Sequence, residues 1–89
     1  MRRPDHLTEI LVTEGLEEHL ARHGVTVDEV RQVLQNGFEL HPNRREGAAD
    51  LVLVGRTDGG RRLLVYARWA DPPDDELLDV RTARPPKGA

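Results

Sequence analysis

The chain has 89 residues, no cysteine and a formal net charge of −3 at pH 7. This length supports one modest hydrophobic core and excludes a second domain, so we expect a single domain over residues 1–89, with an ordered core from about 7 to 84 and short tails at both ends. The net acidic charge argues against a protein that coats nucleic acid. The lack of cysteine excludes a disulfide framework and thiolate metal ligands.

Neither a secretory signal nor a membrane span is predicted. Acidic residues appear before the N-terminal segment reaches the apolar length of a signal peptide, and no segment approaches the roughly 20 apolar residues of a membrane-spanning helix. The cysteine-free composition fits a reducing compartment. We therefore expect a soluble, cytoplasmic protein with no membrane partner.

The first predicted elements are a short strand and a helix. Thr8–Val12 is rich in β-branched side chains, which favours a strand. Thr13 is predicted to cap a helix from Glu14 to about His23, and Gly24 suits the left-handed conformation that follows a helix. The predicted inner face of this helix contains Leu16, His19, Leu20 and His23.

The second helix has the clearest local signals. Thr26 and Glu29 match a capping box, and Val25 with Val30 can form a hydrophobic staple, so the helix is predicted at Val27–Asn36. Its predicted buried stripe contains Val27, Val30, Val33 and Leu34. The helix pair has the outline of a helix-turn-helix motif, but the outer face of the second helix has too few basic side chains to read DNA.

A β-hairpin is predicted at the centre of the fold. Its strands, Leu51–Val54 and Leu63–Tyr66, flank Asp58-Gly59-Gly60, whose glycines suit a tight turn. Both strands are apolar at successive positions, so we expect both faces to be covered, one of them by helices.

These elements predict an α+β fold in the order β-α-α-β-β-β. Phe38–Leu40 is a further short strand candidate, and Leu77–Ala83, which alternates around Leu78, Val80 and Thr82, is the last strand. We expect the two helices to pack on one face of a mixed or antiparallel sheet of about four strands. The predicted core comprises Leu16, Leu20, Val30, Val33 and Leu34 from the helices and Leu51, Val52, Leu53, Leu63, Leu64 and Val65 from the strands.

Basic side chains concentrate at the turn end of the hairpin. Residues 44–69 carry six basic and three acidic groups, whereas the segments on either side are net acidic. A turn at Asp58-Gly59 places Arg56 opposite Arg61, and a turn at Gly59-Gly60 instead pairs Asp58 with Arg61. The sequence leaves two interpretations open, a solvated tip with a local ion pair or a site for an anion.

The histidines and acidic residues are weak candidates for a metal site. His19 and His23 have the i, i+4 spacing at which two imidazoles share a metal, but a third ligand has to come from His6, His41 or a distant carboxylate. A structural role at the helix end is the stronger interpretation, with proton transfer by His23 as the alternative. The acidic segment 71–76 lacks the spaced ligands of a calcium loop and is interpreted as a solvated turn.

Arginines are the remaining candidates for chemistry. Arg56 and Arg62 lie at the hairpin, Arg68 follows it, and Arg81 and Arg84 lie on the last strand. A guanidinium group can clamp a phosphate through two hydrogen bonds and can stabilise the negative charge that develops at phosphorus during RNA cleavage. Surface salt bridges are the competing interpretation.

The chain contains, in this order, the motifs His23-Gly24-Val25, VGRT (54–57) with GRRLLV (60–65), and VRTAR (80–84). They resemble segments of small bacterial toxins of the BrnT type, which belong to type II toxin–antitoxin pairs. The junction His23-Gly24-Val25 resembles the family's link between its helices. The stretches VGRT (54–57) and GRRLLV (60–65) resemble its hairpin, and VRTAR (80–84) resembles its last strand. Together they span most of residues 7–84 in the family's order.

The resemblance implies an α+β fold related to the RelE-type ribonucleases, RNA cleavage without a metal or other cofactor, and a complex with a ribbon-helix-helix antitoxin. Such cleavage uses the RNA 2′-hydroxyl as nucleophile and requires proton transfer and cations around the phosphate. The catalytic residues that the resemblance implies are Arg62, Arg84 and His23, and the substrate-binding residues are Arg56, Arg61 and Arg81.

The chain departs from the family's pattern in two ways. Family members commonly continue after the alanine–arginine pair into a charged helix, whereas Pro85 and Pro86 follow here. The net acidic charge is also unusual for a protein that holds RNA. The alternative function is a catalytically inactive relative that acts as a small protein-binding module.

Overall fold

The computed structural model describes residues 9–43, 49–69 and 77–86. Its elements in chain order are β1 (Glu9–Leu11), α1 (Leu16–Ala21), α2 (Val27–Asn36), β2 (Phe38–Pro42), β3 (Leu51–Arg56), β4 (Arg62–Trp69) and β5 (Leu77–Arg84). They form a small α+β domain with two helices and a five-stranded mixed sheet. The predicted fold class is confirmed. The predicted strand number is wrong because β2 pairs with β3 along its whole length.

The hairpin lies inside the sheet, as predicted. The strand order is β1-β5-β4-β3-β2, so both hairpin strands have a neighbour on each side. β1 runs parallel to β5, and all other neighbouring strands are antiparallel. His6 and the predicted acidic turn at 71–76 lie outside the described residues.

Both helices pack on the same face of the sheet. Leu63, Val65 and Ala67 of β4 are fully buried in the single core that also contains the buried residues of α1 and α2. The side chains between them point the other way, because successive residues of a strand alternate between faces. We call this second side the outer face; it carries Val52, Val54, Arg56, Arg62, Leu64, Tyr66, Arg68, Asp79, Thr82 and Arg84. The expected covering of both faces is not confirmed by the described residues.

The core prediction is correct for the helices and partly wrong for the hairpin. All five predicted helical core residues are buried, as are Leu53, Leu63 and Val65. Leu51 is partly buried and packs against the core. Val52 and Leu64 lie on the outer face and are only partly buried. A continuous apolar run therefore concealed the alternation that assigns each side chain to one face.

The second helix has the predicted bounds and cap. Glu29 N donates to Thr26 Oγ1 at 3.1 Å, and Thr26 N donates to Glu29 Oε1 at 3.1 Å, which completes the capping box. Val25 and Val30, the predicted staple pair, are both buried. In the described part of the chain, neither helix is long and apolar enough to cross a membrane.

The first helix is shorter than predicted. Gly15, with a φ of +84°, precedes it, so α1 starts at Leu16 and Thr13 does not cap it with its side chain. A left-handed residue cannot continue a right-handed helix, which explains the late start. His19 and His23 are both exposed, so their predicted position on the inner face is wrong.

Gly55 lets α2 approach the hairpin closely. A methyl group on Gly55 would lie 2.9 Å from Val33 Cγ1 and 3.1 Å from Gly37 O. Only glycine fits where a helix and the beginning of β2 meet the backbone of β3 at these distances. This contact brings the end of α2 next to the hairpin tip.

Candidate functional site

The turn between β3 and β4 decides which arginines face each other. Thr57 N donates to Arg61 O at 2.9 Å, and Gly60 N donates to Thr57 O at 2.9 Å, which leaves a three-residue loop between the strands. Gly60 has a φ of +86°, the left-handed conformation that follows a type I turn in such loops. Neither predicted two-residue turn is therefore correct, and Arg56 pairs with Arg62.

The predicted ion pair between Asp58 and Arg61 is not formed, because both residues bind the helix layer. Asn36 Nδ2 donates to Asp58 Oδ1 at 2.9 Å. Arg61 Nη1 donates to Gly24 O at 2.8 Å and lies 3.2 Å from Glu29 Oε2. Arg61 thus fastens the hairpin tip to the helices and does not join the other predicted substrate-binding residues.

Three of the predicted site residues come together at one end of the outer face. Arg56 is directly opposite Arg62, and Arg84 is opposite Leu64, two residues along β4 from Arg62. We call Arg56, Arg62 and Arg84 the arginine cluster. None of the three forms an ion pair within the described residues. Like charges directly opposite each other in a sheet are unfavourable, so this arrangement favours a bound anion.

Arg68 on the outer face and Arg81 in β5 share one carboxylate, that of Asp79. Asp79 Oδ2 lies 3.4 Å from Arg81 Nη1 and 3.9 Å from Arg68 Nε. Its side chain is only 14% exposed, whereas the two arginine side chains are about 40% exposed. Arg81, a predicted substrate-binding residue, therefore differs from the arginine cluster in having a carboxylate partner, which it shares with Arg68.

A β-bulge is what places Arg84 on the outer face. Tyr66 pairs with Thr82 and Ala67 pairs with Val80, so Arg81 is an extra residue in β5. The extra residue reverses the alternation that follows it, which buries Ala83 and turns Arg84 outward. The predicted alternation through Thr82 is wrong beyond Val80 for this reason.

Arg84 is held against Tyr66. Arg84 Nη2 lies 3.2 Å from Tyr66 Oη, and the guanidinium carbon lies 5.5 Å from the centroid of the tyrosine ring. Cation–π contact and the hydrogen bond both restrict the guanidinium group. Arg56 makes a local contact, in which Nη1 donates to Gly60 O at 3.2 Å. In the described part of the structure Arg62 makes no side-chain hydrogen bond.

A polar cleft of about 470 Å³ adjoins the arginine cluster. It is lined by Asn36, Gly37, Phe38, Glu39, Val54, Gly55, Arg56 and Arg62. The Glu39 carboxylate, 77% exposed, lies 3.0 Å from His41 Nε2 and forms no ion pair with either arginine. The cleft therefore has a cationic wall and an anionic wall.

His23 lies in the helix layer and not on the outer face. It follows α1 in the helix layer, where its ring contacts that of His19 edge to face at 5.7 Å between centroids. The arginine cluster is on the other side of the sheet. Among the described residues, no group of three or more metal-binding side chains includes this histidine pair.

Tyr66 is the site residue that sequence reasoning missed. Its signal is the strand alternation itself, because Arg62, Leu64 and Tyr66 occupy every second position and share one face of β4.

No known protein family, curated protein or solved structure matches this chain.

Proposed function

We propose that the outer face binds the phosphate backbone of RNA and that the protein is a metal-independent ribonuclease similar to the BrnT-type toxins. The observation that carries the proposal is the arginine cluster, in which Arg56 and Arg62 oppose each other without a carboxylate partner among the described residues. Their repulsion costs from a few tenths to about 1 kcal/mol, and a bound phosphate removes that cost.

The arginines serve the chemistry through charge and position. In this reaction the RNA O2′ forms a bond to phosphorus, the bond from phosphorus to O5′ breaks, one proton leaves O2′ and one is delivered to O5′. Negative charge grows on the phosphoryl oxygens in the transition state, where the positive charges of Arg62 and Arg84 stabilise it and Arg56 assists. The resemblance implies His23 as a proton carrier, but its place in the helix layer gives that role no support from geometry.

Cleavage of an unstructured RNA in the presence of a chelator tests the proposal. Wild-type protein is expected to cleave, and Arg62→Ala or Arg84→Ala is expected to lower the rate by about 10²- to 10³-fold, the usual effect of removing one preorganised donor to a developing charge. Arg31→Ala is the matched control, because Arg31 is an exposed arginine of α2 in the helix layer. All variants must retain the wild-type thermal midpoint.

Two results contradict the proposal. Equal cleavage rates for Arg84→Ala and wild type remove Arg84 from the site. Absence of cleavage by pure wild-type protein removes the nuclease activity itself.

A protein-binding module is the second candidate function. It is favoured by the separation of His23 from the arginine cluster and by the partly buried apolar side chains of Val54 and Leu64 on the outer face. Induced expression in a bacterial host separates the candidates, since a toxin arrests growth and a binding module is tolerated. Coexpression of a neighbouring ribbon-helix-helix gene is expected to relieve the arrest.

A further inference from the structure

The outer face arranges its side chains in rows that run across the strands. One row contains Arg56 and Arg62, and the next contains Glu39, Val54, Leu64 and Arg84, each opposite its neighbour. Rows on one face are about 6.8 Å apart and neighbouring strands about 4.8 Å apart, so the Cα atoms of Arg62 and Arg84 are separated by about 8 Å.

Arg84 contacts Tyr66 through a hydrogen bond and through the face of its ring. Tyr66 lies in the following row, opposite Thr82, and its hydroxyl lies 3.2 Å from Arg84 Nη2. Arg56, by contrast, leans toward the tip, where Nη1 reaches Gly60 O. The arginine cluster therefore divides into two positive points, Arg56 with Arg62 at the hairpin tip and Arg84 with Tyr66 further along β4.

The distance between successive phosphates of an extended nucleotide strand is comparable to the distance between two neighbouring rows. Leu64 lies between the two positive points and offers an apolar floor for the sugar that joins the phosphates. Glu39 lies at the opposite end of the row that contains Leu64 and Arg84, and its negative charge repels phosphate there. The favourable path for a polyanion thus runs from the hairpin tip along β4.

We infer that the site takes two successive phosphates of one nucleotide strand. Arg56 and Arg62 hold the first, and Arg84 holds the second with Tyr66 as its positioning residue. This inference rests on the proposed function, which it makes more specific. A hydrogen-bonded and ring-stacked guanidinium group loses little freedom on binding, which is why Tyr66 strengthens the second contact.

The test compares ligands with one and two phosphates. Thymidine 5′-monophosphate has one, and a 5′-phosphorylated thymidine dinucleotide has two and lacks the 2′-hydroxyl needed for cleavage. At low salt the dinucleotide is expected to bind the full-length protein at least about tenfold more tightly, as measured by calorimetric titration.

Variants assign the two subsites. Arg84→Ala and Tyr66→Leu are expected to remove the preference for the dinucleotide while leaving monophosphate affinity within about twofold. Tyr66→Phe, which keeps the ring and loses the hydroxyl, is expected to have an intermediate effect. Arg62→Ala should weaken both ligands, and Arg31→Ala neither.

The outcomes separate this inference from the nuclease proposal. A dinucleotide preference that depends on Tyr66, in a protein that does not cleave RNA, supports the two-phosphate site and rejects the enzyme. RNA cleavage without a dinucleotide preference rejects the two-phosphate site and keeps the enzyme. Binding of neither ligand, or equal loss of both in Arg84→Ala, also overturns the inference.

Discussion

Leu53 and Val52 are neighbours in β3 whose side chains lie on opposite faces of the sheet. Leu53 is fully buried beneath the helices, whereas Val52 is partly exposed on the outer face. Leu53→Ala leaves a cavity that the packed helices cannot fill, so we expect a loss of about 2 to 5 kcal/mol in the free energy of unfolding. Val52→Ala, the matched control, should lose about 1 kcal/mol or less. Urea denaturation of both variants measures the difference, and equal losses would contradict the assignment of faces.

The hairpin tip is an element whose register depends on one glycine. Gly60 has a positive φ and Gly59 does not, although a type I′ turn at either predicted position requires it at Gly59. We expect Gly60→Ala to lower stability by about 1 to 2 kcal/mol, the cost of a left-handed alanine. Gly59→Ala should change it by about 0.5 kcal/mol or less, since its added methyl group meets only Thr57 Oγ1 at 3.9 Å. Thermal and urea unfolding report both values, and the reverse order of costs would indicate a two-residue turn.

Elements specified by local chemistry could be predicted from the sequence, and those specified by distant pairing could not. The bounds of α2 follow from the capping box between Thr26 and Glu29 and the stop at Gly37, all within one stretch of chain. The register of the hairpin depends on a loop conformation that Asp58-Gly59-Gly60 allows in more than one form. The outward direction of Arg84 depends on a bulge in a nonlocal strand pair, and one residue of slip would bury it. Arg56, Arg62 and Arg84 could therefore be named as candidates, but their common face could not.

At the scale of the whole molecule, a net charge of −3 makes nucleic-acid binding depend on a local surface. The outer face can then contact few phosphates, because among its described arginines only those of the arginine cluster have no carboxylate partner. The logarithm of the binding constant for a single strand falls with the logarithm of salt concentration by about 0.7 for each phosphate contacted. Two contacted phosphates predict a slope of about −1.4, much shallower than that of a basic coat protein.

This slope can be measured with the same variants that test the site. Fluorescence anisotropy of a labelled, noncleavable deoxyoligonucleotide between low and physiological salt gives the slope directly. Arg84→Ala is expected to reduce its magnitude by about 0.7, since one phosphate contact is lost, and Arg31→Ala is expected to leave it unchanged. A slope several times steeper in wild-type protein would mean that additional basic residues contact the strand. A slope near zero would mean that binding, if observed, does not involve phosphate, and would favour the protein-binding module.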